Sequence, residues 1–330
     1  MEKVRWGILG TGRIANEFAE GLTSVPDAEL VAVGSRNQES ADAFGEKWNV
    51  KNRHATYNAL TQDPDVEIIY VSTPHTFHKE NAVLCINAGK AVLCEKPITV
   101  NAREAEELIH LARDKEVFLM EAMWTRYLPL YQRLREELAR GTIGDPRLLH
   151  ATFGFHREFD PDHRLFDPDL GGGALLDIGV YVISLASMIF GEASTIGGLA
   201  HLGESGVDEQ NAIILGYPDG ALASLTSSIT GHTPQDASLI GTKGSILIDG
   251  PFWRGSAMTI RMFDGTETRI ECPQEGNGYN YEAIHAGECL RLGQTESIIM
   301  PLDESFSIMD TMDELRNQWR LFYPSEVEDG

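Results

Sequence analysis

The chain has 330 residues, 42% of them hydrophobic, which is enough for two globular domains with large buried cores. Its formal charge of −23 argues against nucleic acid or an anionic membrane as a partner. The four cysteines form no C-x-x-C pair, so we expect free thiols. A strand pattern begins by Val4, which together with the thiols favours a cytoplasmic protein. No apolar run approaches 18 residues, so we expect no membrane span.

The first 123 residues alternate strand and helix patterns. Short apolar runs predict strands at residues 4–9, 30–34, 68–72, 91–94 and 117–120, and amphipathic or polar segments predict helices at 13–22, 39–48, 76–88 and 101–115. Short strands that alternate with helices of this length indicate an α/β fold whose doubly wound parallel sheet carries helices on both faces.

The remaining residues have a different pattern. A helix is predicted at 128–140, a strand at 147–155 and an apolar helix at 174–189; strands follow at 211–217, 221–229, 237–241, 245–249, 257–263 and 267–271, and helices at 279–292 and 304–321. Successive strands indicate an α+β domain with a large, mostly antiparallel, open-faced sheet. The charge also changes, from −6 over residues 1–123 to −17 over 124–330, so we predict domains 1–123 and 124–330.

The segment Gly10-Thr11-Gly12-Arg13-Ile14-Ala15 fits the pattern G-x-G-x-x-G/A at the end of the first strand. The first glycine allows the tight turn, the second allows a pyrophosphate to approach the backbone, and the small third residue lets the helix pack on the strand. The start of the helix offers unpaired N–H groups to the phosphates. The first domain is therefore predicted to be a dinucleotide-binding Rossmann domain, with Gly10, Gly12, Arg13 and Ile14 at the cofactor.

The end of the second strand indicates which dinucleotide is bound. Cofactors without a 2′-phosphate usually meet an acidic residue there, whereas this strand continues into Ser35 and Arg36. A guanidinium forms charge-assisted hydrogen bonds with a 2′-phosphate, and a serine hydroxyl donates to it. We predict NADP as the cofactor, with NAD as the alternative.

Two further motifs follow strands at the carboxyl edge of the sheet, where open α/β sheets hold ligands. Ser72-Thr73-Pro74-His75 and His78 follow the third strand, and Glu95-Lys96-Pro97 follows the fourth. With the glycine motif, in this order and spacing, they resemble the glucose–fructose oxidoreductase / inositol dehydrogenase family. The segments 121–126 (EAMWTR) and 171–181 (GGGALLDIGVY) are similar to the branch of dimeric trans-dihydrodiol dehydrogenases and NADP-dependent D-xylose dehydrogenases.

The resemblance implies catalytic roles for Lys96, Asp177 and Tyr181. Tyr181 stands where the inositol dehydrogenases have histidine, so a histidine mechanism is not carried over. Asp177 and Tyr181 are four residues apart and project from one helix face. A phenol is a poor base at neutral pH, and a nearby ammonium such as that of Lys96 stabilises the phenolate. Either Tyr181 or Lys96 could transfer the proton, and Asp177 could orient Lys96 or a substrate hydroxyl.

The resemblance also suggests which residues contact the two ligands. His75 stands where many relatives have asparagine, and His78 is expected to line the cofactor site. Including the glycine-motif and Arg36 predictions, the expected cofactor contacts are Gly10, Gly12, Arg13, Ile14, Ser35, Arg36, Ser72, Thr73, Pro74, His75, His78, Glu95 and Lys96. The expected substrate wall contains Trp124, Arg126, Phe153, His156 and Tyr279. No metal site is expected, because no cluster of ligands has a useful spacing.

We therefore expect an NADP-dependent oxidoreductase that transfers a hydride between the nicotinamide and a hydroxyl or carbonyl of a small neutral sugar, polyol or trans-dihydrodiol. The alternatives are a non-catalytic NADP-binding sensor or regulator and an NAD-dependent inositol-type dehydrogenase. The second domain is expected to bind the substrate and to form a homodimer, because 221–229 (ALASLTSSI) offers small and apolar side chains on the sheet face without helices.

Overall fold

The computed structural model describes residues 3–327, which form two compact units. The first unit contains the described residues up to Tyr127 together with Glu275–Ser305, and the second contains Leu128–Gln274 together with the described residues from Phe306 onward. The sequence pattern placed the domain boundary after residue 123 and assigned all later residues to the second domain. The structure differs in returning Glu275–Ser305 to the first unit.

The first unit is built on a six-stranded parallel sheet in the order β3-β2-β1-β4-β5-β6. The strands are β1 Val4–Leu9, β2 Ala28–Gly34, β3 Asn52–His54, β4 Ile68–Val71, β5 Ala91–Glu95 and β6 Leu119–Ala122. The helices that connect them are α1 Arg13–Leu22, α2 Gln38–Trp48, α3 Tyr57–Thr61, α4 His78–Asn87 and α5 Ala102–Asp114. Every residue of β4 and β5 is buried, as expected for central parallel strands covered on both faces.

The returning segment 275–305 adds a helix and an edge to this unit. Helix α8 spans Tyr279–Arg291 and packs against α1. A Cβ built at Gly21 would lie 2.9 Å from the side chain of Tyr279, so the glycine permits this close approach. The N–H of Leu119 donates to Thr295 O at 3.1 Å, which extends the β6 edge of the sheet.

The second unit is built on an eight-stranded sheet in the order β14-β13-β12-β11-β7-β10-β9-β8, in which only the β7–β10 pair is parallel. Its strands are β7 Pro146–Gly154, β8 Thr195–Leu202, β9 Asp208–Gly216, β10 Leu222–Ser228, β11 Ala237–Gly241, β12 Gly244–Ile248, β13 Ala257–Met262 and β14 Glu267–Glu271. Its helices are α6 Pro129–Ala139, α7 Val180–Phe190 and α10 Pro324–Val327, while α9, Leu302–Trp319, starts in the first unit and ends in the second. Helix α7 packs on β7 and β10.

The fold class predicted from the sequence is confirmed. The first sheet has the Rossmann strand order, and the second sheet is large and mostly antiparallel. Elements β3, α3, β8 and α10 were not predicted. Strand β3 has only three residues, all polar, and β8 (TIGGLAHL) contains two glycines and no clear apolar alternation.

One segment of the second unit, Pro168–Phe190, is long and apolar enough to cross a membrane by length and composition. The sequence pattern did not predict such a segment. Because 78% of the apolar window is buried within the protein, we interpret it as a core helix. Cys85, Cys94 and Cys289 are buried, Cys272 is partly exposed, and all four are free thiols. The cytoplasmic location stays a prediction.

Candidate active site

The first unit contains a cavity of about 380 Å³ at the carboxyl edge of its sheet. Seven predicted cofactor residues line it: Gly10, Gly12, Ser35, Arg36, Ser72, Thr73 and Pro74. Seven residues that the sequence analysis did not select complete the lining: Thr11, Asn37, Ser40, Tyr57, Phe77, Glu80 and Asn81. Arg13 and Ile14 lie in the first turn of α1, next to the cavity lining but outside it.

The two glycines of the first turn act in different ways. Gly10 has a φ of +107°, and a Cβ there would lie 2.9 Å from the hydroxyl of Ser72, so both the backbone and the neighbouring loop require glycine. At Gly12 no described atom lies within 4 Å of a Cβ position, so its backbone faces open space at the cavity. Gly12 is also the N-cap of α1, and no described side chain caps that helix. The uncapped N–H groups fit a phosphate of a dinucleotide.

Arg36 is exposed at one corner of the cavity, where β2 leads into α2. Ser35 is buried beside it, and Asn37 caps α2 by accepting the N–H of Ser40 at 2.8 Å. Tyr57 also lines this corner; burial raises the pKa of its hydroxyl, while the charge of Arg36 opposes that rise. This corner combines a guanidinium, two serine hydroxyls and an aromatic ring.

His78 is fully buried and does not line the cavity. Its Nδ1 lies 2.8 Å from Pro97 O, and its Nε2 lies 2.8 Å from Thr73 O. Burial lowers the pKa of this imidazole to about 4, and the neutral ring donates to one of these two carbonyl oxygens at a time. His78 therefore connects the loop after β4 to the loop after β5. His75 is buried next to it, with the ring centroids 5.7 Å apart.

Strand β5 ends at Glu95, Lys96 follows it, and the Lys96–Pro97 peptide bond is cis. The carboxylate of Glu95 is buried and accepts the hydroxyl of Tyr70 and the backbone N–H of Lys96. Burial raises the pKa of Glu95, while the charge of Lys96 opposes the rise. Glu95 is thus bonded within the protein and does not line the cavity, whereas Lys96 is partly exposed.

The substrate-wall residues of the first unit fall into two groups. Trp124 stacks on Tyr279, with ring centroids 4.8 Å apart and planes 20° apart. Arg126 is only 2% exposed, and its guanidinium lies 2.6 Å from the carboxylate of Glu304. The structure therefore gives Arg126 a buried ion pair, a structural contact that the sequence analysis did not foresee. Its place in the substrate wall stays a prediction.

In the second unit, Asp177 and Tyr181 lie at the start of the apolar helix. Residues Leu175–Gly179 form a π-helical turn that leads directly into α7, where Tyr181 is the second residue. Asp177 is buried, and its Oδ1 lies 3.0 Å from Nη2 of Arg164, a residue of the exposed loop after β7. No local pattern singled out Arg164, because the loop 156–169 contains many charged residues.

Two aromatic rings lie beside that of Tyr181. Its ring centroid lies 5.5 Å from that of Phe153, and Phe153 stacks on Trp253 at 5.0 Å with a 7° angle between planes. Phe153 was a predicted substrate contact, and Trp253 was not selected. His156 lies farther along the chain from β7, is exposed, and has Nδ1 2.9 Å from Thr230 O. The structure thus joins Phe153, Tyr181 and Trp253 into one aromatic cluster.

Family models match most of the chain. A model described as an oxidoreductase family with an NAD-binding Rossmann fold matches residues 4–123, and a GFO/IDH/MocA C-terminal domain matches residues 131–247.

Individual proteins match over nearly the whole length. A trans-1,2-dihydrobenzene-1,2-diol dehydrogenase from Mus musculus is 40% identical over 335 residues, covering 98% of this chain and 99% of that protein. An aldose-aldose oxidoreductase from Caulobacter crescentus superposes with a TM-score of 0.87 at 25% identity, covering 97% and 98% of the two chains. A 3-ketoreductase from Actinomadura kijaniata, solved with NADP and TDP-benzene, has a TM-score of 0.85 at 26% identity, covering 96% and 98%.

Proposed function

This chain belongs to the GFO/IDH/MocA oxidoreductase family and is an NAD(P)-dependent dehydrogenase, and we propose that its cofactor is NADP and its substrate a trans-dihydrodiol or a small neutral sugar. The observation that carries the cofactor proposal is the corner of the cavity formed by Ser35, Arg36 and Ser40. It offers one positive charge and two hydroxyl donors, and it contains no acidic residue at the end of β2 to bind a free ribose 2′-hydroxyl.

The lining of the cavity fits a phosphorylated dinucleotide. Gly10 and Gly12 leave the backbone open at the start of α1, where the N–H groups would bind the pyrophosphate. Arg36 and the serine hydroxyls would bind a 2′-phosphate, and Tyr57 would pack on the adenine. When bound, NADP supplies a hydride acceptor, or in its reduced form a hydride donor, to the reaction.

The residues of this chain would bind the substrate and move the proton. From the family motifs we propose that Tyr181 transfers the proton and that Lys96 takes part in the same step, because a phenol alone is too weak a base near neutral pH. In the direction of reduction, Tyr181 donates the same proton to the oxygen that becomes a hydroxyl. Asp177 would accept a hydrogen bond from a substrate hydroxyl. These roles rest on the family motifs, and the geometry of each residue within its own unit is compatible with them.

Two observations support the choice of substrates. Phe153 and Trp253 place flat apolar rings next to Tyr181, the proposed proton donor. Such rings suit the ring face of a dihydrodiol or of a sugar. The 40% identity to a trans-dihydrodiol dehydrogenase favours the diol, and the structural similarity to an aldose oxidoreductase supports the sugar as the second candidate.

An absorbance assay at the reduced-nicotinamide band tests both parts of the proposal. NADP and NAD are each combined with aromatic trans-dihydrodiols, pentoses, hexoses and inositols. We expect reduction of NADP with a diol or an aldose and a clearly lower kcat/KM with NAD. Equal efficiency with NAD would contradict the cofactor proposal, and bound NADP that no compound reduces would favour a non-catalytic sensor.

We further propose that the second unit forms a homodimer through the open face of its sheet. Leu199 is 81% exposed on β8, Ile214 is 52% exposed on β9, and Leu222 is 47% exposed on β10. The register places Gly197 and Ser224 opposite Ile214, so these three large side chains share one face among small residues. An exposed apolar face of this kind is typical of a protein–protein contact. A monomer in light scattering at micromolar concentration would contradict the proposal.

A further inference from the structure

Asp208, the first residue of β9, is a fully buried carboxylate in the second unit. Its Oδ2 accepts the backbone N–H of Leu175 at 2.8 Å and the side-chain amide of Asn211 at 2.8 Å. Leu175 is the first residue of the π-helical turn that carries Asp177 and leads into α7 with Tyr181. Asp208 therefore holds the amide at which this segment begins.

Two glycines permit the close packing around this carboxylate. Gly173 has a φ of +109°, and a Cβ there would overlap Oδ1 of Asp208. On the other side, Asn211 accepts the hydroxyl of Ser227 at 2.9 Å, and a Cβ at Gly179 would lie 3.1 Å from that hydroxyl oxygen. Asp208, Asn211 and Ser227 thus form a hydrogen-bonded row that contacts the helical turn at its beginning and at its end.

The glycine loop before the π-helical turn is also hydrogen-bonded to the segment that follows α9. The hydroxyl of Tyr323 donates to Gly172 O at 2.8 Å, and Tyr323 is fully buried. The guanidinium of Arg316 lies 5.1 Å from the Tyr323 ring, and its charge favours the ionised form of Asp208. The segment that leads to Asp177 is therefore hydrogen-bonded to Tyr323 at Gly172 and to Asp208 at Leu175.

The burial of Asp208 is costly. Burial raises the pKa of this carboxyl to about 7, and Oδ1 has no hydrogen-bond partner among residues 3–327. A buried carboxyl with one oxygen that accepts no hydrogen bond is less favourable for folding than an apolar side chain of similar size. The bond to Leu175 is the contact that links Asp208 to residues with a proposed catalytic role.

We propose that Asp208 is a positioning residue of the dehydrogenase reaction, which sets the direction of Asp177 and Tyr181 by binding the amide of Leu175. The inference rests on the proposed function, since Asp208 acts through those two residues. A displacement of a reacting group by about 1 Å costs up to 100-fold in rate, so a small shift of this segment is sufficient for a large effect on turnover.

Asp208→Ala tests the proposal, with Glu137→Ala as its matched control. Glu137 is a buried carboxylate of the same unit that binds Thr142 and Arg140 and has no proposed role in the reaction. We expect Asp208→Ala to lower kcat by about 10- to 100-fold with an unchanged Kd for NADP. Glu137→Ala should lower the unfolding midpoint but leave kcat of the folded enzyme within about twofold of the wild type. In Asp208→Asn the side-chain carbonyl still accepts the Leu175 N–H, so most of the turnover should be retained.

The Tyr181→Phe background separates a positioning role from a general loss of stability. If Asp208 acts through Tyr181, Asp208→Ala should cause little further loss of kcat in Tyr181→Phe. Full additivity with both Tyr181→Phe and Asp177→Asn, or an unchanged kcat in Asp208→Ala, would overturn the proposal. A near wild-type kcat in Tyr181→Phe itself would instead overturn the proposed role of Tyr181.

Asn211→Ala is the substitute if Asp208→Ala does not fold. It removes one bond to the Asp208 carboxylate and keeps the carboxylate itself. We expect a several-fold lower kcat, again without additivity with Tyr181→Phe, and an unchanged kcat would overturn the proposal.

Discussion

Nη2 of Arg164 lies 3.0 Å from Oδ1 of Asp177 and forms a salt bridge between an exposed loop and the helix of the second unit. The Arg164 side chain is 42% exposed, whereas the Asp177 side chain is 9% exposed. Because the guanidinium is well exposed to water, solvent screening limits the contribution of this pair to stability to about 1 kcal/mol. Any large effect of Arg164 should therefore concern the orientation of Asp177 rather than folding.

We accordingly expect Arg164→Ala to lower kcat/KM by about tenfold through the loss of orientation at Asp177, with a nearly unchanged unfolding midpoint. Arg164→Lys should recover part of the loss, because it retains the charge but not the planar donor. Arg261→Ala is the control, since Arg261 forms a comparable exposed ion pair with Glu267. Steady-state kinetics that do not distinguish Arg164→Ala from Arg261→Ala would contradict the expectation.

Arg36→Ala should raise the Kd for NADP by about 10- to 100-fold, because a hydrogen bond to a charged group contributes about 1.5–3 kcal/mol. Binding of NAD should change by less than about threefold, since NAD has no 2′-phosphate for Arg36 to contact. Fluorescence titration of both cofactors measures the two constants on one preparation, so NAD serves as the internal control. An equal loss for both cofactors would show that Arg36 does not recognise the 2′-phosphate.

Lys96→Met and Tyr181→Phe should each lower kcat by about 10²- to 10⁴-fold, the usual contribution of a positioned proton-transfer group. The Kd for NADP should stay close to that of the wild type in Tyr181→Phe, because Tyr181 belongs to the unit without the dinucleotide cavity. Stopped-flow and steady-state assays with the best substrate measure the effect. Near wild-type turnover in either variant would contradict the assigned chemistry.

Glu121→Gln should make stability less dependent on pH. Burial raises the pKa of Glu121 to about 7 in the folded protein, above its ordinary value of 4.5. The folded state therefore binds this proton more tightly than the unfolded state does. The resulting contribution to the free energy of unfolding is fully present below pH 4.5 and is lost as the pH rises through 7. Between these pH values the free energy of unfolding of the wild type should fall by about 3 kcal/mol relative to that of the glutamine variant.

Urea unfolding of both proteins at pH 5 and pH 8 measures this difference. Glutamine keeps the size of the side chain and cannot ionise, so the comparison removes the effect of other carboxyls such as Asp208. If the two proteins lose the same stability between pH 5 and pH 8, Glu121 does not titrate in this range.

Ile214→Glu should convert a homodimer into a monomer, because it places a charge at the centre of the exposed apolar face. Leu292→Glu is the control, since Leu292 is 73% exposed but belongs to the first unit. Light scattering at micromolar concentration measures the mass of both variants. A dimer that persists in Ile214→Glu would place the interface elsewhere.

Local periodicity was sufficient to predict most of the strands and helices, because a strand in a parallel sheet and an amphipathic helix each leave their own pattern in the chain. It was not sufficient for β3 and β8, where short length, polar residues or glycines remove the pattern. The return of Glu275–Ser305 to the first unit was also invisible, because it depends on the packing of α8 against α1 rather than on either helix alone.

The residues of the cofactor site likewise divide into those that a local sequence pattern predicts and those that it misses. Gly10 and Gly12 were predicted because a phosphate-binding turn needs glycines at fixed spacings, and Arg36 because it stands at the end of the second strand, where the ribose of the cofactor is usually bound. Tyr57 and Asn81 were missed because they reach the cavity from α3 and α4, and no spacing within the chain connects them to the glycine motif.

The sequence by itself determined the Rossmann and antiparallel sheets, the dinucleotide motif and the set of residues expected to carry the chemistry, since each depends on neighbours along the chain. Only the tertiary structure decided that His78 and Glu95 are bonded within the interior, that Arg126 is paired with Glu304, and that Arg164 and Asp208 hold the segment of Asp177. The physical reason is that hydrogen bonds and ion pairs between distant segments depend on the closeness of atoms in space, which local sequence patterns do not encode.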